Sequence, residues 1–130
     1  MIAFQRAGRL LRRGVTLVEV LIVVAIIALV SAGVAAAAIP YWERARYKTA
    51  LTNARHLRGV VKTWLVERDS KDCPSVEQLL ADQALDRDSP RQDPWGKQWH
   101  IDCSDNEVII LSDGSDRTAG TADDIRIPPT

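Results

Sequence analysis

The sequence has few residues of the types that carry catalysis or bind transition metals. Only two of its 130 residues are histidine and only two are cysteine. His100 has no serine or cysteine partner nearby in the chain, and His56 lies among arginines. Two isolated cysteines are too few for the four-ligand site that structural zinc requires. The chain is therefore predicted not to be an enzyme.

Acidic residues are absent from the first eighteen positions, and charge is scarce in the stretch that follows. Val15 to Ile39 contains one charged residue, Glu19. Four arginines precede this run: Arg6, Arg9, Arg12 and Arg13. A helix rises about 1.5 Å per residue, so residues 20–39 span roughly 30 Å, the thickness of a bilayer core. Basic flanking residues stay in the cytoplasm, which predicts a membrane-spanning helix with the rest of the chain on the opposite side.

Three other interpretations of this run are open. It could be an ordinary single-pass anchor or a buried core helix, although the remaining chain offers little protein to surround such a helix. It could also be a secretory signal peptide, because residues 31–38 contain small-residue cleavage sites. Glu19 opposes this last interpretation. A carboxylate well inside a bilayer costs about 2.5–3.5 kcal/mol on insertion scales, so its presence requires a function.

Charge is distributed unevenly over the remainder of the chain. Residues 41–71 carry eight basic and three acidic residues, whereas residues 72–130 carry five basic and thirteen acidic residues. A basic helix followed by an acidic domain favours electrostatic docking between subunits or of the domain on the helix. The acidic domain argues against nucleic acid as a partner. About ninety residues beyond the apolar run suffice for one small domain.

The pattern of apolar residues predicts an α+β fold. Apolar residues recur at helical spacing from Tyr41 to Asp69, and Pro40 is expected to kink the helix that begins at Val15 without ending it. Ser75 and Gln78 form the pattern of a capping box before a short helix. Two strands are then predicted, at residues 97–103 and 107–111, joined by a hairpin turn at residues 104–107.

The N-terminal residues resemble a known processing signal. Arg12-Arg13-Gly14, followed by Val15-Thr16-Leu17-Val18-Glu19, resembles the class III signal of type IV pilins and type II secretion pseudopilins. The resemblance implies that a prepilin peptidase cleaves after Gly14 and methylates the new amine of Val15. It also implies that Glu19 pairs with the N-terminal amine of an adjacent subunit. Valine stands where the family usually has phenylalanine.

Later segments narrow the resemblance to the major pseudopilins of type II secretion. The similar segments are Cys73-Pro74-Ser75-Val76-Glu77-Gln78, Asp93-Pro94-Trp95-Gly96 and the loop from Ser112 to Ile125. They imply a long helix (residues 15–71, its first half to residue 40 in the membrane or filament core) and a periplasmic α/β head at residues 72–130. The implied role is a structural subunit of the periplasmic pseudopilus that pushes folded substrates through the outer-membrane secretin.

The resemblance also implies partners and a location. These are further copies of the chain, minor pseudopilins, the prepilin peptidase, the assembly platform of the bacterial inner membrane, and lipid before assembly. Two alternatives are a minor type IV pilin serving adhesion or DNA uptake, and a small secreted or anchored binding domain outside any filament.

Four aspartates crowd the C-terminal loop, and Arg117 is the one base among them in the chain. The residues alone favour a solvated acidic turn, and the spacing is not that of an EF-hand. The resemblance instead implies a calcium site. Its ligands would be the side chains of Asp116, Asp123 and Asp124, with carbonyls near Asp113 and Ser115. Arg117 replaces the family's usual glycine, which is expected to strain the turn.

Cys73 and Cys103 are an even pair in a domain expected outside the cytoplasm. We expect a disulfide between them, with two buried free thiols as the alternative. Such a bond closes a loop of about thirty residues, which the chain-entropy estimate equates with roughly 3–4 kcal/mol.

Overall fold

The computed structural model describes residues 13–130, so most of the expected leader, including Arg6, Arg9 and Arg12, lies outside the described residues. Two units are distinguished, one up to Ala38 and one from Ile39 to Thr130. Helix α1 runs from Leu17 to Arg68. Pro40 lies inside it, as predicted, and the helix continues on both sides. The α+β prediction is confirmed.

The C-terminal end of α1 is a Schellman motif. Asp69 adopts a left-handed conformation with φ of 47°. The Asp69 N–H donates to the Val66 carbonyl (3.3 Å) and the Ser70 N–H to the Leu65 carbonyl (3.1 Å). These two bonds satisfy carbonyls that a helix end otherwise leaves without partners. Aspartate tolerates the left-handed region better than most residues, which explains why the helix ends here without glycine.

The head contains one short α-helix and a three-stranded sheet within the described residues. Helix α2 spans Val76–Ala81, and the Ser75 Oγ accepts a bond from the Gln78 N–H, as the capping pattern predicts. The strands are β1 at His100–Asp102, β2 at Ile109–Ser112 and β3 at Ile125–Ile127. They are antiparallel in the order β1-β2-β3, with Ile101 opposite Ile110 and Ser112 opposite Ile125.

Two details of the sequence-based fold were wrong. Strand β3 was not predicted, because its three residues are too few to show a clear alternation. The side chain of Gln78 makes no bond back to Ser75 among the described residues, so only the Ser75 half of the predicted capping box is present. The predicted hairpin turn is present, and Asp105 and Asn106 both have positive φ, as two-residue hairpin turns require.

The core of the head forms where one face of α1 meets the sheet and α2. Its buried side chains are Ala50, Ala54, Leu57, Val61, Trp64, Val76, Leu79, Leu85, Trp99, Val108, Ile110, Ile125 and Ile127. The Trp64 Nε1–H donates to Asp82 at 2.9 Å, which satisfies the polar atom of this buried ring. The buried residues of α1 recur at three- and four-residue steps, so α1 presents one stripe to the sheet and leaves its opposite face exposed.

Candidate functional site

The predicted cleavage site lies immediately before α1. Residues 13–16 are non-helical, and Gly14 and Val15 are exposed. The helix then begins with a capping box: the Glu19 N–H donates to the Thr16 Oγ1 at 3.2 Å, and the Thr16 N–H donates to the Glu19 Oε2 at 3.3 Å. Glu19 therefore has a local partner in the uncleaved chain. The sequence carried this signal, because Thr16 and Glu19 have the spacing of a capping box.

The apolar run is exposed along the part of it that belongs to α1, except at Ala38, which is half-buried. Leu17, Leu29 and Val34 are 79%, 75% and 64% exposed. This is the one described helix that is long and apolar enough to cross a membrane, and none of its most apolar window is buried. A helix that is apolar on all sides and unburied by its own chain requires lipid or other helices around it.

The C-terminal loop connects β2 to β3, and the antiparallel pairing of these strands brings its two ends together. Within it, oxygen atoms of Asp116, Asp123 and Asp124 lie within 4.8 Å of one another. Asp116 is exposed, and the other two are half-buried. Three carboxylates at this separation can hold one metal ion.

Hydrogen bonds from within the loop orient these carboxylates. Asp123 accepts bonds from Thr121 Oγ1 (2.6 Å), from the Asp116 N–H (2.8 Å) and from Ser115 Oγ (2.9 Å). The Thr121 hydroxyl, followed by the Asp116 N–H, holds the pKa of Asp123 below its usual range. Asp124 accepts from the Gly120 N–H at 2.6 Å. Asp123 is therefore ionised at neutral pH, and these bonds hold the Asp123 and Asp124 carboxylates in fixed orientations.

Asp113 does not join this cluster through its side chain. Its carboxylate is buried and contacts Lys97 Nζ at 2.6 Å and His100 Nε2 at 3.3 Å. The bond from Lys97 holds the pKa of Asp113 below its ordinary value, against the opposing effect of burial. Lys97 Nζ also donates to the Arg117 carbonyl at 2.8 Å. Arg117 is the one base among the loop aspartates in the sequence, but in the structure Lys97 and His100 also contact the loop, at Asp113.

Asp93 links the Asp-Pro-Trp-Gly turn to the start of the loop. It is 4% exposed, and its Oδ1 accepts bonds from the Lys97 N–H (2.8 Å) and the Trp95 N–H (3.1 Å). Its Oδ2 accepts from Ser112 Oγ at 2.7 Å, and Ser112 Oγ accepts in turn from the Gly114 N–H. The sequence analysis named Asp93 only as part of a segment similar to the pseudopilins, and it did not predict these bonds.

Two backbone positions of the loop restrict which residues fit. Gly114 has φ of 72°, and a Cβ there would overlap the Asp123 carbonyl and approach the carbonyl carbon to 2.8 Å. Arg117 has φ of 57°, in the left-handed region that favours glycine. The strain expected where arginine replaces the family's glycine is thus consistent with the positive φ of Arg117.

The two cysteines form a disulfide. The sulfur atoms of Cys73 and Cys103 are 2.06 Å apart, and the bond joins the segment before α2 to the residue after β1.

The N-terminal segment matches a known protein family over residues 9–35, described as the prokaryotic N-terminal methylation motif. The motif indicates a type IV pilin-like precursor. Such a precursor is processed by a prepilin peptidase and assembles into pilus-like filaments, as a structural subunit. Its N-terminal apolar helix fits a single-pass anchor in the inner membrane, in agreement with the exposed run of α1. No curated protein and no solved structure gives a significant match to the chain.

Gly14, Val15 and Glu19, the residues predicted for processing and assembly, all lie inside the matched segment. The match does not reach the head, where the acidic loop, the disulfide and the turn at Asp93 are found. Their roles therefore depend on the geometry of the head.

Proposed function

We propose that this pilin-like precursor is a pseudopilin of a type II protein secretion system. It is inserted in the inner membrane, cleaved after Gly14, and polymerised into a periplasmic filament that pushes folded substrates through the outer-membrane secretin. The mechanism is mechanical. Adding a subunit moves the apolar run from lipid into a bundle of similar helices, so the transfer requires little change in the surroundings of these side chains.

One observation favours a pseudopilin most: three carboxylates lie close together in the C-terminal loop of the head. Asp116, Asp123 and Asp124 approach one another without an ion pair to any of them among residues 13–130. Like charges held this close are unfavourable unless a cation neutralises them, and calcium takes oxygen ligands in flexible geometry. We therefore propose that the three side chains bind calcium, with carbonyls near Asp113 and Ser115 completing the shell.

Glu19 is proposed to change partners during assembly. In the precursor its carboxylate is within hydrogen-bonding distance of Thr16. Cleavage after Gly14 creates a cationic amine at Val15 with a pKa near 8. Pairing of that amine with Glu19 of an adjacent subunit would neutralise two charges at the apolar boundary and set the register between subunits.

Substitutions at Thr16 and Glu19 separate the two roles of the glutamate. Glu19→Gln keeps a side chain that a capping box accepts, but removes the charge. Thr16→Ala removes the capping hydroxyl and keeps the charge. We expect Glu19→Gln and Glu19→Ala to abolish filament assembly, and Thr16→Ala to reduce it little, while all three insert in the membrane. Assembly by Glu19→Gln at the wild-type level would show that Glu19 acts only as a helix cap.

A secretion assay tests the type II assignment itself. Deleting the gene should leave folded substrates in the periplasm, and expression of the intact chain should restore their release. A deletion strain that secretes normally, but has lost surface pili, adhesion or DNA uptake, would identify a minor type IV pilin instead.

A further inference from the structure

The apolar run is followed directly by a short segment of exposed aromatic and basic residues, three of which also line a cavity beside Trp95 and Asp123 of the head. We call Tyr41, Trp42, Arg44, Tyr47 and Lys48 the aromatic-basic collar. Tyr41 is 71% exposed, Trp42 63% and Tyr47 48%. The buried stripe of α1 begins only at Ala50. Three large rings on about two turns of helix are thus left in contact with solvent.

The ion pairs of the described residues do not include the two cations of the collar. Among residues 13–130, no carboxylate lies within ion-pair distance of Arg44 or Lys48. Arg46, by contrast, pairs with Glu43 at 3.4 Å. Arg44 and Lys48 are four residues apart, so they project from the same face of the helix, one turn from each other.

Aromatic and basic side chains that lie together in this way have a known chemical preference. Tryptophan and tyrosine have an apolar ring with one polar atom, and they concentrate where a membrane meets water. Arginine and lysine beside such rings attract the phosphates of anionic lipids. We propose that the aromatic-basic collar binds anionic phospholipid headgroups at the membrane face where the apolar run ends, and so fixes the depth of the helix before assembly. This inference rests on the membrane-anchored form of the proposed pseudopilin.

The helix supplies its own matched control. Arg55 and Lys62 are exposed, have no carboxylate within ion-pair distance among the described residues, and follow Lys48 by seven and fourteen residues. At 3.6 residues per turn they project from nearly the same face, about 10 and 21 Å farther along the axis. The variant pairs Arg44→Gln/Lys48→Gln and Arg55→Gln/Lys62→Gln remove equal charge from one face at different distances from the apolar run.

The test uses the full chain reconstituted in phosphatidylcholine vesicles containing phosphatidylglycerol, with a chelator present so that divalent ions cannot bridge lipid and protein. One of the two lipids carries a spin label on its headgroup, and quenching of tryptophan fluorescence is measured. Subtracting the signal of the Trp42→Phe variant isolates Trp42 from the three tryptophans of the head. Flotation confirms that every variant is inserted.

We expect labelled phosphatidylglycerol to quench Trp42 more strongly than labelled phosphatidylcholine, with a local enrichment of roughly fivefold. Arg44→Gln/Lys48→Gln should abolish the enrichment, and Arg55→Gln/Lys62→Gln should leave it unchanged. Absence of quenching by either lipid, or equal quenching by both, would overturn the proposal.

An equal loss of lipid enrichment in both variant pairs would also overturn the proposal. The whole basic face of the helix, and not the collar, would then attract negative charge, and an acidic surface of a second copy could bind it equally well. Cleavage after Gly14 is measured separately, in cells that express the same variants together with the prepilin peptidase. Failure of the lipid test with cleavage intact would leave the proposed pseudopilin function standing.

Discussion

We expect the removal of the Asp93 carboxylate to destabilise the head most selectively, because this one group accepts hydrogen bonds from three donors in two segments. It accepts bonds from the Trp95 N–H, the Lys97 N–H and Ser112 Oγ. The Asp93→Ala variant leaves these three donors in a buried site without an acceptor. Asp93→Asn keeps an oxygen for the two N–H groups and changes only the side that faces Ser112.

The expected loss of stability follows from the number of hydrogen bonds that each variant removes. Each bond to a charged acceptor contributes about 1.5–3 kcal/mol, and a neutral one about 1 kcal/mol. Because part of the loss is recovered as water enters the turn, we expect Asp93→Ala to lower the free energy of unfolding by about 3–5 kcal/mol. Asp93→Asn should lower it by about 1 kcal/mol, since its amide retains two of the three contacts. Ser112→Ala, which removes one donor, should lie between them at about 1–2 kcal/mol.

Urea unfolding of the full chain in detergent provides the assay, followed by near-ultraviolet circular dichroism. This signal reports the buried Trp64 and Trp99, and it is insensitive to the apolar run, which contains no aromatic residue. The reasoning would be refuted if Asp93→Ala unfolded within 1 kcal/mol of the wild type. It would also be refuted if Asp93→Asn were as damaging as Asp93→Ala, because charge alone would then account for the effect.

Three further predictions concern the loop. Asp124→Asn should weaken calcium binding by tenfold or more in titration calorimetry, whereas Asp88→Asn, outside the loop, should not; equal affinities would exclude the proposed site. Gly114→Ala should destabilise the head by about 2–4 kcal/mol in urea unfolding, because it combines positive φ with overlap at the Asp123 carbonyl; a change below 1 kcal/mol would contradict this. Arg117→Gly should stabilise the head by about 0.5–1 kcal/mol in the same assay by relieving the left-handed conformation. A destabilised Arg117→Gly variant would show that the arginine side chain holds the loop.

Local patterns predicted the helices and the cap at Ser75, because each depends on residues within a few positions in the chain. The grouping of Asp116 with Asp123 followed from the resemblance of the loop. Contacts that depend on strand pairing were not predicted. Lys97 and His100 reach Asp113 only because β1 lies beside β2, and Asp93 reaches Ser112 across nineteen residues. Periodicity carries no information on such pairs.

Strand β3 is a second feature that the sequence pattern could not predict. Ile125, Arg126 and Ile127 alternate in burial, but three residues are too short a pattern to distinguish from a loop. The hairpin that β3 forms with β2 is what closes the acidic loop. The geometry of the candidate calcium site therefore depends on an element that the sequence did not reveal.

The N-terminal residue of the membrane-extracted protein tests the central claim most directly. Its intact mass and N-terminal sequence should correspond to a chain that begins at Val15, with or without one added methyl group. That result would establish prepilin processing, on which filament assembly depends. A chain that begins between Ala36 and Ile39 would instead show cleavage of an ordinary signal peptide. Glu19 would then be absent from the mature protein, and the pseudopilin assignment would be wrong.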